Sequence, residues 1–384
     1  MISRRMLLTT GTASIIVALS ASTYKTQSIK QKEARAPWDS AGDSFGDPRL
    51  DALSYAVLAP NPHNRQPWLI RLAGKERMIL TCDDTRLLPK TDPYNRQIVI
   101  GLGAFLELLR QASAEQGYRL DTKLFPKGEP YPLLDDRPIA EITFVKEPTI
   151  ERDPLFGAAL ERRTIRSPFE KTKPVSMETL SELDKALRPG DGYFEWVNDK
   201  ENITTMKDIC SRGWIVELLT PATHHESTAL TRIGAAEVSK NPDGISLNGP
   251  TIEVARLMGI LTREKINNPQ SKAFSEVEAF YLQAIKSAQA FGWLSTDGNS
   301  RVDQITAGTG WVRLQLAATK AGLAMHPLSQ VLQEFPEMLD LYDEVHDFVG
   351  IRNPARIQGL FRYGYANSPD PAPRWPMESR ILQT

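Results

Sequence analysis

The chain has 384 residues, a length that suits two packed lobes or one domain with insertions better than a single simple core. Its 46 basic and 47 acidic side chains leave a formal charge of −1, which excludes an extended nucleic-acid surface and confines any anion site to a local cluster. With 41% hydrophobic and 24% charged residues the composition is that of a soluble globular protein, and its two cysteines, Cys82 and Cys210, offer neither a metal-binding spacing nor a disulfide framework.

The N-terminus opens on Ser3-Arg4-Arg5-Met6-Leu7-Leu8 and continues as a weakly apolar run from Leu7 to Ala21. A basic start, a moderate apolar core and small residues after it define a secretory signal over residues 1–22. The order of its residues resembles a twin-arginine signal, with a general secretory signal or a short anchor as the alternative. On that reading the chain engages the twin-arginine export machinery and resides in the periplasm or another extracytoplasmic space. No later run is long and apolar enough to span a membrane.

Residues 23–45 are polar with Gly and Pro and are expected to form a linker. A first lobe is expected over 46–150. It begins with a short helix from Pro48 to Leu58, ended by Pro60. The proline-bearing loop Ala59-Pro60-Asn61-Pro62-His63-Asn64-Arg65-Gln66-Pro67-Trp68 follows. Strands are predicted over 68–72 and 77–82 around a turn at Gly74. Ile98, Leu102, Phe105, Leu109 and Ala112 recur at helical spacing within a helix predicted over 92–117, and 119–125 and 139–145 alternate as strands.

A second lobe is expected over 151–384. Its elements are a helix over 176–187, strands near 193–197 and 288–295, a strong helix over 302–321, and strands over 322–328 and 355–365. Residues 200–275 are helix-prone but broken by Pro221, Pro242, Gly244, Gly249 and Pro250, which reads as a helical insertion or lid. In both lobes a long helix steps through a glycine to a strand, at Gly117 and Gly322. This weak repeat favours two related halves packed as a pseudo-dimer.

The stretch with the most chemistry is Arg162-Arg163-Thr164-Ile165-Arg166-Ser167-Pro168-Phe169, three guanidinium groups within five residues with a hydroxyl between them. Arginine presents a planar fork of donors that matches phosphate oxygens. A solvated charge run at a helix end would carry the same residues. No serine–histidine–aspartate or cysteine–histidine set is evident, and His224-His225 is no metal pair, because adjacent helical side chains point apart.

Three separated stretches resemble the nitroreductase family of flavin enzymes, and within it the double-length Acg-like branch. They are the arginine stretch, followed by Pro174-Val175 before a helix; the loop 59–68; and Pro373-Arg374-Trp375-Pro376 after a last strand that ends Arg362-Tyr363-Gly364-Tyr365. The resemblance implies an α+β, nitroreductase-like fold of two related lobes, each a mostly antiparallel sheet with flanking helices. It also implies FMN as cofactor. Arg162, Arg166 and Arg374 would be counter-charges to its phosphate, Thr164 a hydroxyl donor, and Arg163 a backbone or indirect contact. Asn64 would meet the ring edge, and Pro60, Asn61 and Pro62 would shape the loop against the ring. Gln66, Pro67 and Trp68 are expected to be structural. Arg65 is a candidate for raising the flavin's potential, and His63 and His326 are candidates to line the site, with ordinary polar packing as the alternative.

In the family the loop and the arginines reach the flavin from opposite subunits. Here the loop comes first and the arginines about 100 residues later, and the second lobe has Leu187-Arg188-Pro189-Gly190-Asp191-Gly192 where a second loop would stand. One chain therefore carries one complete composite site and a degenerate second one, with no oligomer required. The family's Glu-Gly pair near flavin N5 is replaced by Pro327-Leu328-Ser329-Gln330, which leaves Ser329 or its backbone as the candidate there. The implied activity is transfer of hydride or electrons by a ping-pong route to a nitro, quinone or similar small acceptor. The donor would be NAD(P)H, a quinol or a redox protein. The rival reading is a flavin-sequestering protein with a closed lid and little turnover.

Overall fold

The computed structural model describes residues 32–383, so the expected export signal lies outside the described residues. Helix α1 (Pro48–Ala56) starts where the Asp47 carboxylate accepts the Arg49 amide and a proline takes the first helical position. Strands β1 (Trp68–Ala73) and β2 (Arg77–Cys82) form the expected hairpin. Helix α2 (Arg96–Glu115) buries the apolar stripe read from its spacing, and β3 (Tyr118–Leu124) and β4 (Ala140–Lys146) complete an antiparallel sheet of order β1-β2-β4-β3.

The second half begins with α3 (Met177–Asp184) and β5 (Tyr193–Val197). An insertion follows: α4 (Lys200–Leu219), α5 (Pro221–Ala229), β6 (Thr231–Ile233), α6 (Ala235–Lys240), β7 (Ile245–Leu247), α7 (Pro250–Leu257), α8 (Arg263–Asn267) and α9 (Lys272–Lys286). Then come β8 (Ala290–Thr296), α10 (Arg301–Lys320), β9 (Ala324–Pro327), α11 (Leu339–Phe348) and β10 (Arg356–Gly364). The second sheet is antiparallel, of order β5-β8-β10-β9. Each half thus runs two strands, a 20-residue helix and two strands, with the same strand order. The halves differ where β5 and β8 are joined by residues 198–289 while β1 and β2 are joined by a tight turn.

The insertion is not purely helical: β6 and β7 pair in parallel around α6. Its helices α4 and α9 cover one face of the second sheet, with Met206, Ile209, Trp214, Phe274 and Ile285 packed on Phe291, Trp293 and Leu360. Helices α3 and α10 cover the other face. Strand β8 is accordingly buried at every position, which is why it reads as a continuous apolar run instead of alternating.

The halves are joined by α2 against α10, the most extensive helix pair in the protein. The contact is reciprocal. Arg96 and Arg301 each open their helix, Ile100 and Ile305 follow four residues later, and Gly103 and Gly308 three after that. A Cβ on Gly103 would lie 2.1 Å from the Ile305 carbonyl oxygen, and one on Gly308 would lie 2.0 Å from that of Ile100. Only glycine lets the two backbones approach this closely. Arg96 donates to the carbonyls of Leu332 and Ile357 in the second half, and Arg301 to those of Tyr94, Pro130 and Pro132 in the first. The core follows suit: Ile305, Val312 and Leu316 of α10 pack into the first half, and Ile100 of α2 into the second.

Two segments make contacts beyond the expected boundaries. Ala34 and Trp38 of the expected linker are buried, around a helical turn at Ala36–Asp39. The C-terminal tail, assigned to the second lobe, crosses to the open edge of β1. There Ile381 bridges Ile70 in parallel, the Leu382 amide donates to the Ile70 carbonyl, and Arg380 donates to the Trp68 carbonyl and the Asp83 carboxylate. An unpaired strand edge is a row of unsatisfied backbone groups, and the tail supplies partners for part of it.

Candidate functional site

The loop 59–68 is the most strained backbone near the site. His63, Asn64 and Gln66 all have positive φ (46°, 50° and 52°) without being glycine. Each such residue costs on the order of 1–2 kcal/mol and persists only where its surroundings over-determine it. The over-determination is visible. Asn61 accepts the Gln66 amide through its side-chain oxygen at 2.7 Å and donates to the Ala59 carbonyl. Gln66, fully buried, accepts the Trp375 amide and donates to the Pro242 carbonyl. Asn64 donates to the Pro373 carbonyl at 2.9 Å and accepts from Arg374 at 2.7 Å. Its side chain, expected at a flavin edge, is engaged by the tail.

The tail brings Arg374 against Arg162. Arg374 directs all five of its N–H donors to protein acceptors: the carbonyls of Val57, Leu58, Ala59 and Pro373 and the Asn64 side chain. It can lend charge to a ligand but no free N–H. Arg162 donates to the Leu58 carbonyl at 2.7 Å and to the Gln315 side-chain oxygen at 3.1 Å, while its buried Nε has no partner among the described residues. The Leu58 and Ala59 carbonyls follow the end of α1, the negative end of that helix, which is a favourable seat for guanidinium groups. Arg163 donates to the carbonyls of Leu160 and Arg162, and its Nε is likewise buried and unpartnered. The Arg163 carbonyl and the Thr164 hydroxyl oxygen both accept from Gln315 of α10. Arg166, less buried, reaches the Ser246 carbonyl at 3.4 Å.

Among the described residues, none of Arg162, Arg163, Arg166 and Arg374 forms an ion pair. Burial, reinforced by the Arg163 charge, pulls Arg162 down to about 9, and burial with the neighbouring arginines pulls Arg374 well below its ordinary value. The corresponding place in the second half, before β5, is the opposite case. Arg110, Arg188 and Arg313 interlock there with Glu107, Asp153 and Asp191. One position is a cluster of uncompensated positive charge with unsatisfied donors, which suits a phosphate-like anion; the other is balanced.

Arg362 of β10 shapes the arginine stretch from beneath. It is fully buried, stacks on Phe169 and donates to the carbonyls of Ile165, Arg166 and Ser167. Its Nε donates to His326 Nδ1 at 2.9 Å, and burial together with the Arg362 charge holds that imidazole neutral. His63 is partly exposed, but its Nδ1 is buried and has no partner among the described residues; burial and the charges of Arg65 and Arg166 pull it down to about 4. Ser329 starts the 3-10 turn Gln330–Leu332, which packs on α4, and among the described residues no hydrogen bond joins it to the loop or to the arginines.

The insertion closes over this ensemble. The segment from Pro242 to Ser246 takes hydrogen bonds from Gln66 and Arg166, and the Gly244 amide donates to the Asn64 carbonyl. Asp243 is the hub: it pairs with Arg232 at 2.6 Å, Arg86 at 3.0 Å and Arg65 at 3.8 Å, and it accepts from the Trp375 indole at 3.3 Å. Arg65 is thereby committed to a carboxylate. A further element went unread in the sequence. The Trp38 ring lies 4.8 Å from the Arg163 guanidinium, 5.5 Å from that of Arg374 and 5.6 Å from that of Arg162. The signal was a large aromatic residue inside a polar stretch. Cys82 and Cys210 are both free thiols.

Over 342 residues the chain is 25% identical to the "Uncharacterized protein Rv3127" of Mycobacterium tuberculosis (strain ATCC 25618 / H37Rv), covering 87% of this chain and 92% of that one. It is 34% identical over 118 residues, 31% of this chain and 34% of the relative, to acg of the same organism, provisionally named an NAD(P)H nitroreductase. Among solved structures, the FMN and NADPH-dependent nitroreductase NfnB from sphigopyxis sp. strain HMH aligns at 14% identity over 60% of this chain and 98% of that one, with a TM-score of 0.37. The model of the Nitroreductase family matches residues 159–365, from just before the arginine stretch to the end of β10. That span exceeds half of the chain, and the chain belongs to the nitroreductase family.

Proposed function

We propose that the protein is an FMN-dependent oxidoreductase with one flavin site per chain, built from the arginine stretch of the second half and the 59–68 loop of the first. The observation that carries this reading is the group Arg162, Arg163, Arg166 and Arg374, which forms no ion pair among the described residues and buries two unpartnered Nε atoms. Membership of the nitroreductase family supports it. The repeated strand order and the reciprocal α2–α10 contact support reading the chain as two family subunits fused into a pseudo-dimer.

When bound, FMN would supply hydride transfer between a reduced donor and a nitro, quinone or similar small acceptor, by a ping-pong route. The chain's own residues bind and orient. Arg162 and Arg166 would hold the phosphate end, Arg163 would act through its backbone or an indirect contact, Arg374 would add charge, and the 59–68 loop would lie against the ring. Neutral His63 and His326 contribute no charge of their own. The donor is NAD(P)H, a quinol or a redox protein. We also propose export through the twin-arginine route, tested by fractionating cells that carry Arg4→Lys/Arg5→Lys; retention of that variant in the cytoplasm is the expected result.

A second reading, flavin sequestration with little turnover, is favoured by the Pro242–Ser246 segment bonded across the loop and Arg166. The absorption spectrum of the native protein tests both. A flavin spectrum with about one FMN per chain, lost in Arg166→Ala, is expected. A folded protein that is colourless and takes up no FMN sinks the flavin reading. Oxidation of a reduced donor in excess over protein rules out sequestration alone.

A further inference from the structure

We propose that Trp38 is a specificity-determining residue of the flavin site: it holds the arginine cluster assembled for a phosphate and so sets the preference for FMN over riboflavin. This rests on the flavin reading above. Three like-charged guanidinium groups, two of them buried, are gathered with no carboxylate paired to them among the described residues. Left alone, they repel. What faces them is the Trp38 ring, within 5.6 Å of all three, and the face of an indole is the negative part of its quadrupole.

The ring is held there by the N-terminal segment, which clasps the tail that carries Arg374. The Trp38 indole donates to the Ala372 carbonyl at 2.8 Å, and Arg35 donates to the Pro371 carbonyl at 2.8 Å and pairs with Asp370 at 3.2 Å. The Arg374 amide in turn donates to the Ala34 carbonyl at 2.9 Å. Trp38 is 6% exposed, and of the three arginines beside it Arg162 and Arg374 are 3% exposed each while Arg163 is half-buried. A phosphate entering this cluster meets charges already gathered and desolvated, and its binding does not bear the cost of assembling them. Riboflavin, lacking the phosphate, gains nothing from that arrangement.

The test is a titration of apo-protein with FMN and with riboflavin, followed by flavin fluorescence, for the wild type, Trp38→Phe and Trp38→Ala, with thermal midpoints alongside. Trp38→Ala is expected to weaken FMN binding on the order of tenfold and leave riboflavin unchanged, the size expected for losing a desolvated cation–π contact. Trp38→Phe, which keeps a ring, should lie between. Arg35→Ala, which loosens the clasp without touching the ring, gives the same direction if Trp38→Ala does not fold. An FMN-to-riboflavin affinity ratio unchanged in these variants, or equal losses for both flavins, overturns the proposal and leaves the flavin reading standing. A wild type that binds neither flavin sinks the flavin reading itself.

Discussion

Replacing Asp243 by Asn tests whether the Pro242–Ser246 segment is latched onto the loop by charge. The carboxylate is 5% exposed and faces Arg232, Arg86 and Arg65. Burial by itself would raise its pKa; the hydrogen bond and charge of Arg232, with Trp375 and Arg86, overcome this and hold it below the ordinary 3.8. Removing one partner of a buried ion pair costs on the order of 3–5 kcal/mol. Asn keeps one acceptor, which returns about 1 kcal/mol and leaves about 2–4 kcal/mol. If the segment opens locally, its amide protection falls by a factor of about 30 to 700 at 1.4 kcal/mol per decade. If it opens only with the whole protein, the thermal midpoint falls by about 2–5 °C. Hydrogen exchange followed by mass spectrometry on the peptide spanning 241–247, with a thermal scan, separates the two. The sign with pH follows from the depressed value: the contribution is fully present above about 3.8 and is lost as pH falls through the folded value, so wild-type protection should be flat from neutral pH down to about 4 and drop below it. Unchanged protection and an unchanged midpoint in Asp243→Asn would refute the latch.

Gly103→Ala should destabilise by about 1–3 kcal/mol in thermal unfolding, because its Cβ meets the Ile305 carbonyl oxygen at 2.1 Å; a gain in stability, as helix propensity alone demands, would show that the helices separate freely. The His63 contribution to stability should fall between pH 6.5 and about 4, since unfolding lets its imidazole take up a proton that the folded protein refuses. His63→Asn tolerates the left-handed backbone and should flatten that window in denaturant titrations at pH 7 and 5. Arg362→Lys loses the fork that serves the carbonyls of Ile165, Arg166 and Ser167, each costing about 1–3 kcal/mol when left buried and unpaired. A midpoint within error of wild type would contradict that accounting.

What was legible in the sequence is what a short window encodes. The stripe through Ile98, Leu102, Phe105 and Leu109 is local, and so are the prolines that make 59–68 a loop. The glycine steps at Gly117 and Gly322 do mark corresponding helix ends in two sheets of one strand order. Strands β6 and β7, three residues each, fall below the length at which alternation can be seen. Helix α11 carries a local apolar stripe in Leu341, Tyr342 and Val345. The remainder is long-range. No local pattern places Pro242 under Gln66, Asp243 against Arg86, or the tail beside β1, because those contacts join residues more than 150 positions apart. The site shows the same division. The arginine stretch announced itself by composition, whereas the saturation of Arg374 by carbonyls and the engagement of Asn64 by Pro373 depend on where the tail lands.

The reciprocal helix pair has a consequence for behaviour on dilution. A site shared between two separate subunits exists only while they associate, so its population falls as the protein thins out. Here the 59–68 loop and the arginine stretch are tethered through one backbone and clamped by Gly103 against Ile305 and Gly308 against Ile100. Their local concentration is set by the fold and not by the number of molecules present. Occupancy of the site should therefore depend on ligand alone, with the same affinity at nanomolar as at micromolar protein.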